Sequence, residues 1–274
     1  MKNILTASLA LLSIGMFSCQ KEVKDIFASG GSSGNRLVKV VSKSGSDSSV
    51  LAFGYNSSNK LTSLNSLAFS GGTTTTFSLR AERNSQGIIQ KVITISDQYQ
   101  QYGLDSVTTI VSYQGGHYST EVTTIDLGGI TAADSVSLTY DANGKVIKEE
   151  SFFVALGSAD TMSKNEYTYS GNNIASMKVY SYDPSTSSYE LVTTYTYDQY
   201  DDKLSPMYFG NDAFVFGSPI FDSYNNPLKS SVWTLVATQS YTTTYTYNSA
   251  NKPVTATSTI QPANTTATGT YYYQ

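Results

Sequence analysis

The chain has 274 residues, of which 14% are charged, and a formal net charge of −4. Soluble domains usually carry roughly 25% charged residues, and no basic patch with interleaved aromatic residues stands out, so nucleic acid is not an expected partner. One cysteine and one histidine allow neither an intrachain disulfide nor a zinc site built from Cys and His.

Residues 1–18 have the features of an export signal. Lys2 provides a basic start, and the apolar run from Ile4 to Phe17 is too short to span a membrane as a helix. The small residue before Cys19 resembles the lipobox of bacterial lipoproteins. This resemblance implies cleavage before Cys19 and lipidation of that residue, which would give a stable membrane anchor. The alternative is an ordinary signal peptide with an unmodified cysteine near its end.

Residues 19–34 are expected to comprise the lipidated cysteine and a flexible tether. The charged segment Gln20–Asp25 resembles the one that directs Bacteroidota-type lipoproteins to the cell surface, and Ser29–Gly34 is a Gly/Ser spacer. We therefore expect an outer-membrane lipoprotein, at the cell surface or facing the periplasm, with the membrane as a partner through its anchor. The alternative is a disordered terminus that carries no sorting signal.

One hairpin unit defines the pattern of the remaining domain, residues 35–274. In Ser135–Lys148, apolar residues ending at Tyr140 alternate with Ser and Thr, which is the two-residue period of a strand with one buried face. Asp141–Gly144 follows, where Asp can bond the next backbone groups and Gly can adopt a positive φ. The unit therefore predicts a β-hairpin.

Copies of this unit recur along the domain. The last residues before successive turns are 28, 30, 27, 29, 28 and 50 positions apart: Tyr55, Arg83, Tyr113, Tyr140, Tyr169, Tyr197 and Tyr247. A repeat of this length suits one long hairpin with its connection. With a closing strand at Thr268–Tyr273, the pattern predicts an all-β antiparallel meander of about 14–16 strands. A sheet this wide should curl or close, so we expect a rolled or barrel-like sheet with the tyrosine faces inside.

The repeat is interrupted over about residues 199–232. Pro, Gly and Asn break the alternation there, while Phe209, Phe214 and Phe216 require burial. We expect an irregular insert, either an ordered loop or a short helical plug, that covers one end of the sheet.

Two sets of residues resemble known families. Tyr140–Val146 resembles the tyrosine–aspartate repeats of large bacterial shell proteins. The closer likeness, over roughly residues 35–274, is to single-domain Bacteroidota lipoproteins of unknown function with a porin-like fold. Tyr200–Pro206 is similar to that family's Tyr-Asp-x-Lys-x-x-Pro segment, and Asn225–Pro227 to its later Asn-Asn pair. The resemblance implies a fold and a location, and no site residues.

The sequence carries no arrangement typical of an enzyme. His117 is expected in a solvent-facing turn, without a Ser or Cys nucleophile motif. The pairs Glu149-Glu150 and Asp201-Asp202 are adjacent, so their side chains should point to opposite faces of a strand. We expect no catalytic residues, no cofactor and no metal, with calcium near Asp201 and Asp202 as a minor alternative.

A ligand site, if present, is expected among the aromatic residues of the insert. The tentative ligand-binding residues are Trp233, Tyr208, Phe214 and Tyr224, because binding residues favour loops on rigid scaffolds. These observations favour a lipid-anchored, non-enzymatic surface protein that is structural or binds an unknown ligand. The alternatives are a glycan-binding lipoprotein that uses these aromatic residues and, less favoured, a transmembrane β-barrel, which would need an oily outer face. A glycan or a surface protein is the candidate partner.

Overall fold

The computed structural model describes residues 36–126, 131–155 and 158–274. The predicted signal peptide, Cys19 and the tether lie outside the described residues. Sixteen antiparallel strands form one closed barrel, in which each strand pairs with its neighbours in sequence and the first pairs with the last. The predicted all-β meander of about 14–16 strands is confirmed, and closure removes the exposed edges that an open sheet this wide would have.

The strand bounds follow the predicted repeat. They are β1 Leu37–Ser44, β2 Asp47–Tyr55, β3 Leu61–Ser70, β4 Thr73–Arg83, β5 Ile89–Ser96, β6 Val107–Gln114, β7 His117–Asp126, β8 Thr131–Tyr140, β9 Val146–Ala155, β10 Ser158–Ser170, β11 Asn173–Asp183, β12 Ser188–Leu204, β13 Asn225–Thr234, β14 Thr238–Tyr247, β15 Pro253–Gln261 and β16 Thr265–Tyr273. The helical segments are α1 Asp97–Gln100, α2 Asp212–Val215 and a 3₁₀ helix at Pro219–Asp222. Within the described residues, no helix is long and apolar enough to cross a membrane.

Four hairpin turns at one end of the barrel share a single chemistry. Asp141 Oδ1 accepts hydrogen bonds from the backbone N–H groups of Asn143 and Lys145, and Gly144 takes the positive φ of +76°. Asn56, Asn84 and Asn248 make the equivalent pair of bonds in their own turns. The side chain thus fixes the turn from its first residue, as the Asx chemistry of the sequence predicts.

A β-bulge follows these turns and sets which face each side chain takes. Tyr140 lies opposite Val146, whereas the preceding Thr139 lies opposite Lys148, so Ile147 is an extra residue. The same shift occurs at Tyr55 and in other hairpins at this end. Because of the bulge, the aromatic residue that ends one strand and the aliphatic residue that begins the next both point inward.

The register separates an inner face from an outer face. The inner face is aromatic and aliphatic toward the end of the barrel that carries these turns, where the buried core includes Phe53, Leu138, Val146, Tyr167, Tyr271 and Tyr273. Toward the opposite end, the inward side chains are mostly Ser, Thr and Ala. The outer face of β14–β16 is nearly all threonine, with Thr242, Thr244, Thr246, Thr255, Thr257, Thr266 and Thr268 exposed.

Charged side chains occupy the middle of the outer face on β9–β11. Glu150 lies opposite Lys164 across the β9–β10 pair, and Glu166 lies opposite Lys148 on one side and Lys178 on the other. Ion pairs of 2.8 Å join Lys148 to Glu150 and Lys164 to Glu166. This arrangement alternates positive and negative charge across three neighbouring strands, which is favourable in water.

The segment 205–224, which we call the plug, lies across the end of the barrel that carries the Asx turns, here called the plug end. An irregular insert was predicted over about 199–232, but regular strand continues to Leu204 and resumes at Asn225. The plug contains α2 and the 3₁₀ helix, and its buried side chains join the barrel core: Ala213, Phe214, Val215, Phe216 and Phe221. Two helical turns therefore complete the core that the wide barrel could not fill from its strands alone.

Candidate ligand cleft at the plug end

A buried ion pair fastens the plug to the barrel wall. Arg83, on the inner face of β4, donates from Nη2 to Asp212 Oδ2 at 2.7 Å, and its side chain is only 4% exposed. The same guanidinium donates to the carbonyls of Leu61 and Gly87, and Tyr118 Oη donates to Asp212 Oδ1 at 2.7 Å. Arg83 occupies the repeat position at which the other hairpins mostly have tyrosine. Its ion pair with Asp212 explains why this repeat has an arginine there.

A second set of bonds holds the C-terminal end of the plug. Ser223 Oγ accepts from the backbone N–H of Ile174 at 3.2 Å, and Tyr200 Oη donates to the carbonyl of Ile174 at 2.6 Å. Asn225 accepts from Asn173 Nδ2 and donates from its backbone to Asn173 Oδ1. These contacts fix both the exit from the plug and the start of β13.

The two motifs singled out in the sequence meet at this junction. Asp201 accepts from the backbone N–H and the Nδ2 of Asn226, at 3.0 and 2.9 Å, and also from Tyr247 Oη. Asp202 is exposed and pairs with Lys203. Because Asp201 accepts from these three donors and also from the backbone N–H of Lys203, it serves the plug junction. No group of acidic or His/Cys ligands suited to a metal occurs in the described part of the chain.

A polar cleft of about 260 Å³ opens between the plug and two of the hairpin turns. Its walls include Asn143, Lys145, Asn172, Tyr208, Asn211 and Asp222. Tyr208 and Tyr224 pack edge to face with ring centroids 5.3 Å apart, and they are 40% and 41% exposed. The cleft therefore combines amide, ammonium and carboxylate groups with the exposed ring of Tyr208, against which Tyr224 packs. A larger depression of about 430 Å³ lies over β12–β14, but it is more open, and its walls include Asp202, Lys229 and Thr242–Thr244.

Asp222 gives the cleft its unusual electrostatics. Burial raises the pKa of Asp222 to about 6, although the hydrogen bond from Tyr169 Oη at 3.2 Å and the charge of Lys145 act in the opposite direction. Lys145 Nζ donates to the carbonyl of Gly171 and lies 4.6 Å from the centroid of the Tyr169 ring. The floor of the cleft is thus a fixed network that presents both an acceptor and a donor.

Comparisons with known proteins identify the architecture. No family model matches the chain, and no curated protein matches it. A porin-like protein from Bacteroides uniformis superposes with a TM-score of 0.55 at 11% identity, over 88% of this chain and 99% of that one. A second porin-like protein, from Bacteroides vulgatus, gives 0.51 at 12% identity, over 87% and 98%. The fold is similar to that of porin-like proteins. At these identities the likeness extends to the fold alone.

On this porin-like fold, the four tentative ligand residues do not form one site. Tyr208 lines the cleft, and Tyr224 packs against Tyr208. Phe214 is 2% exposed and packs edge-on against Tyr167 at 5.3 Å, so it belongs to the core and is not accessible to a ligand. Trp233, 39% exposed, lies on the outer face of β13, opposite Thr194 and Thr238. Aromatic residues that are close in sequence therefore lie in three different places: the core, the cleft and the outer wall.

His117 does not face solvent as the sequence suggested. It begins β7 and packs on the ring of Tyr140 with centroids 4.5 Å apart, and its Nδ1 atom is buried without a hydrogen-bond partner. A Cβ atom on Gly144 would lie 2.9 Å from His117 Cε1. The histidine therefore fills the space beside a hairpin turn of the neighbouring strand pair, which sequence periodicity could not reveal.

Proposed function

We propose that this protein is a non-enzymatic barrel that stands in water at the outer membrane, tethered through lipid on Cys19, and that it binds a ligand in the plug-end cleft. The porin-like fold is compatible with an envelope location. The side chains on the outer face of the barrel support the proposal that this face contacts water and not lipid. Lys148, Glu150, Lys164 and Glu166 point outward from mid-strand. A lysine in the middle of a lipid-facing strand costs about 2–4 kcal/mol.

The threonine-rich face of β14–β16 supports the same proposal. Its outward side chains are exposed hydroxyl groups, such as Thr244, Thr257 and Thr268, with no aliphatic band between them. Hydroxyl groups lose their water partners in hydrocarbon, and strands that face lipid carry apolar residues there instead. The membrane contact is therefore assigned to the N-terminal lipid and not to the barrel wall.

Phase partitioning in Triton X-114 tests the tether. The wild-type protein from membranes is expected in the detergent phase, and the Cys19→Ser variant in the aqueous phase as a folded, detergent-free species. The Trp233→Ala variant, which removes the largest exposed aromatic side chain of the barrel wall, serves as the matched control and should partition as the wild type does. Retention of the Cys19→Ser variant in detergent would show that the barrel itself enters the membrane.

A glycan is the ligand that the cleft favours most. Sugar rings present a C–H face that suits an aromatic side chain and hydroxyl groups that suit amide and carboxylate partners, and the cleft offers both beside Tyr208 and Tyr224. Its polar walls and small volume fit one or two sugar rings better than an apolar ligand.

A glycan array with matched variants tests this assignment. Binding by the wild type should be lost in Tyr208→Ala and in Asn211→Ala, and retained in Tyr102→Ala, which removes an even more exposed tyrosine that does not line the cleft. Circular dichroism checks that each variant is folded. Binding lost in Trp233→Ala but kept in Tyr208→Ala would place the site on the outer wall, and absence of binding to any glycan would reject a glycan as the ligand.

A further inference from the structure

Three carboxylates project into the barrel interior around one side chain. Glu121, on β7, lies directly opposite Val136 of β8. Asp134 is the preceding inward residue on β8, and Glu149, on β9, lies opposite Leu138, the following one. Inward neighbours along and across strands are only about 5–7 Å apart. The three acids therefore lie around Val136 on the inner wall, and none of them lines the cleft at the plug end.

This interior charge has no basic counterpart among its described neighbours. Arg83 points inward but is held by Asp212, and Lys148 and Lys164 lie on the outer face. Burial, reinforced by the charges of Glu149 and Asp134, raises the pKa of Glu121 to about 8. Burial also raises the pKa of Asp134 to about 6 and lifts that of Glu149 above its ordinary value.

Several buried polar atoms nearby lack hydrogen-bond partners. Asn165 Nδ2, at 3.0 Å, and Tyr167 Oη both donate to Glu149 Oε2, yet Asn165 Oδ1 has no partner although the residue is only 7% exposed. Asp134 Oδ1 and the hydroxyl of Tyr140 are likewise buried without partners. Since buried polar groups are nearly always hydrogen-bonded, unpartnered acceptors beside unneutralised acids indicate a missing group that carries both N–H donors and positive charge.

We propose that the barrel interior binds an organic cation with a primary ammonium group, seated between Glu121 and Glu149 and donating to Asn165 Oδ1. A primary ammonium supplies three N–H donors and one charge, which matches the open acceptors. A metal ion fits less well, because no group of three acidic or His/Cys side chains in the described chain is arranged to hold one. This site is independent of the proposed glycan cleft.

Thermal unfolding at pH 8 with 1,4-diaminobutane as the probe tests the proposal. The melting temperature of the wild type should rise by about 5–10 °C at a hundredfold excess over Kd, and isothermal titration should give saturable binding. Affinity should increase from pH 6 to pH 8.5, because the ammonium replaces the proton that Glu121 holds at lower pH.

Adjacent residues on β9 provide a matched control. Glu149→Gln should lose at least tenfold in affinity, whereas Glu150→Gln, one residue away on the outer face, should bind as the wild type does. Glu121→Gln keeps the shape of the side chain and should also weaken binding. The proposal is overturned if tetramethylammonium, which has no N–H donors, gives the same shift at equal ionic strength, if only Ca²⁺ stabilises the protein, or if Glu149→Gln binds normally.

Discussion

Glu121→Gln should change how the stability of the protein depends on pH. The pKa of Glu121 is raised from 4.5 to about 8 in the folded state, chiefly by burial. Below pH 4.5 both folded and unfolded chains are protonated at this position, so stability does not vary through this group. Between pH 4.5 and 8 the unfolded chain ionises while the folded one holds its proton, so the free energy of unfolding falls as pH rises.

The size of the effect follows from the pKa difference. Each pKa unit corresponds to about 1.4 kcal/mol, so the wild type should lose up to about 5 kcal/mol through this group by pH 8. The amide of Glu121→Gln cannot ionise and removes this loss. We therefore expect similar stabilities at pH 5, and a variant that is more stable than the wild type by several kcal/mol at pH 8.5.

Urea unfolding followed by circular dichroism between pH 5 and pH 9 measures this difference. Glu150→Gln is the control, because Glu150 lies outside the barrel in an ion pair with Lys148 and such surface pairs contribute about 0–1 kcal/mol. The reasoning is refuted if the pH slope of Glu121→Gln equals that of the wild type, or if wild-type stability rises between pH 6 and 8.

Two substitutions near the plug end give further expectations. Arg83→Met should cost about 3 kcal/mol of stability in urea unfolding, because it leaves Asp212 without its cation. Adding Asp212→Leu should restore part of the loss. If Arg83→Met left the stability unchanged, the ion pair would not anchor the plug. Gly144→Ala should destabilise by about 2–3 kcal/mol, since it combines a positive φ with a clash against His117. Gly171 also has a positive φ, but a Cβ atom there would meet open space, so Gly171→Ala is the control. An equal loss of stability in Gly171→Ala would show that the contact with His117 contributes nothing to the effect at Gly144.

Strand periodicity explains why so much of the barrel could be predicted from the sequence. Alternation in Ser135–Tyr140 and turn chemistry in Asp141–Gly144 are local, and their repetition gives the strand number and the inward aromatic face. The width of the sheet predicted that it would roll or close, and the pairing of β1 with β16 decides for a closed barrel. The insert was predicted as an ordered loop or a short helical plug, and its bounds were placed too wide, because Tyr200 and Asp201 belong to an extended and bulged strand.

Contacts between residues distant in sequence could not be predicted. Arg83 and Asp212 are 129 positions apart, and the only sequence signal was a missing tyrosine in one repeat. The sequence showed that Glu149 and Glu150 face opposite sides, yet nothing in it indicated that Glu149 meets Glu121 across two strands. Phe214 was proposed as a ligand contact because it is aromatic and lies in the insert, but only packing reveals that it is buried.

The central claim, that the outer wall of the barrel stands in water, can be tested with two neighbouring residues on β15. Thr257 points outward and is exposed, whereas Ser258 points inward. On membranes carrying the tethered protein, a charged, membrane-impermeant maleimide should label Thr257→Cys rapidly and Ser258→Cys slowly, with the wild type as baseline. Protection of Thr257→Cys until detergent is added would contradict the claim and place this wall in lipid.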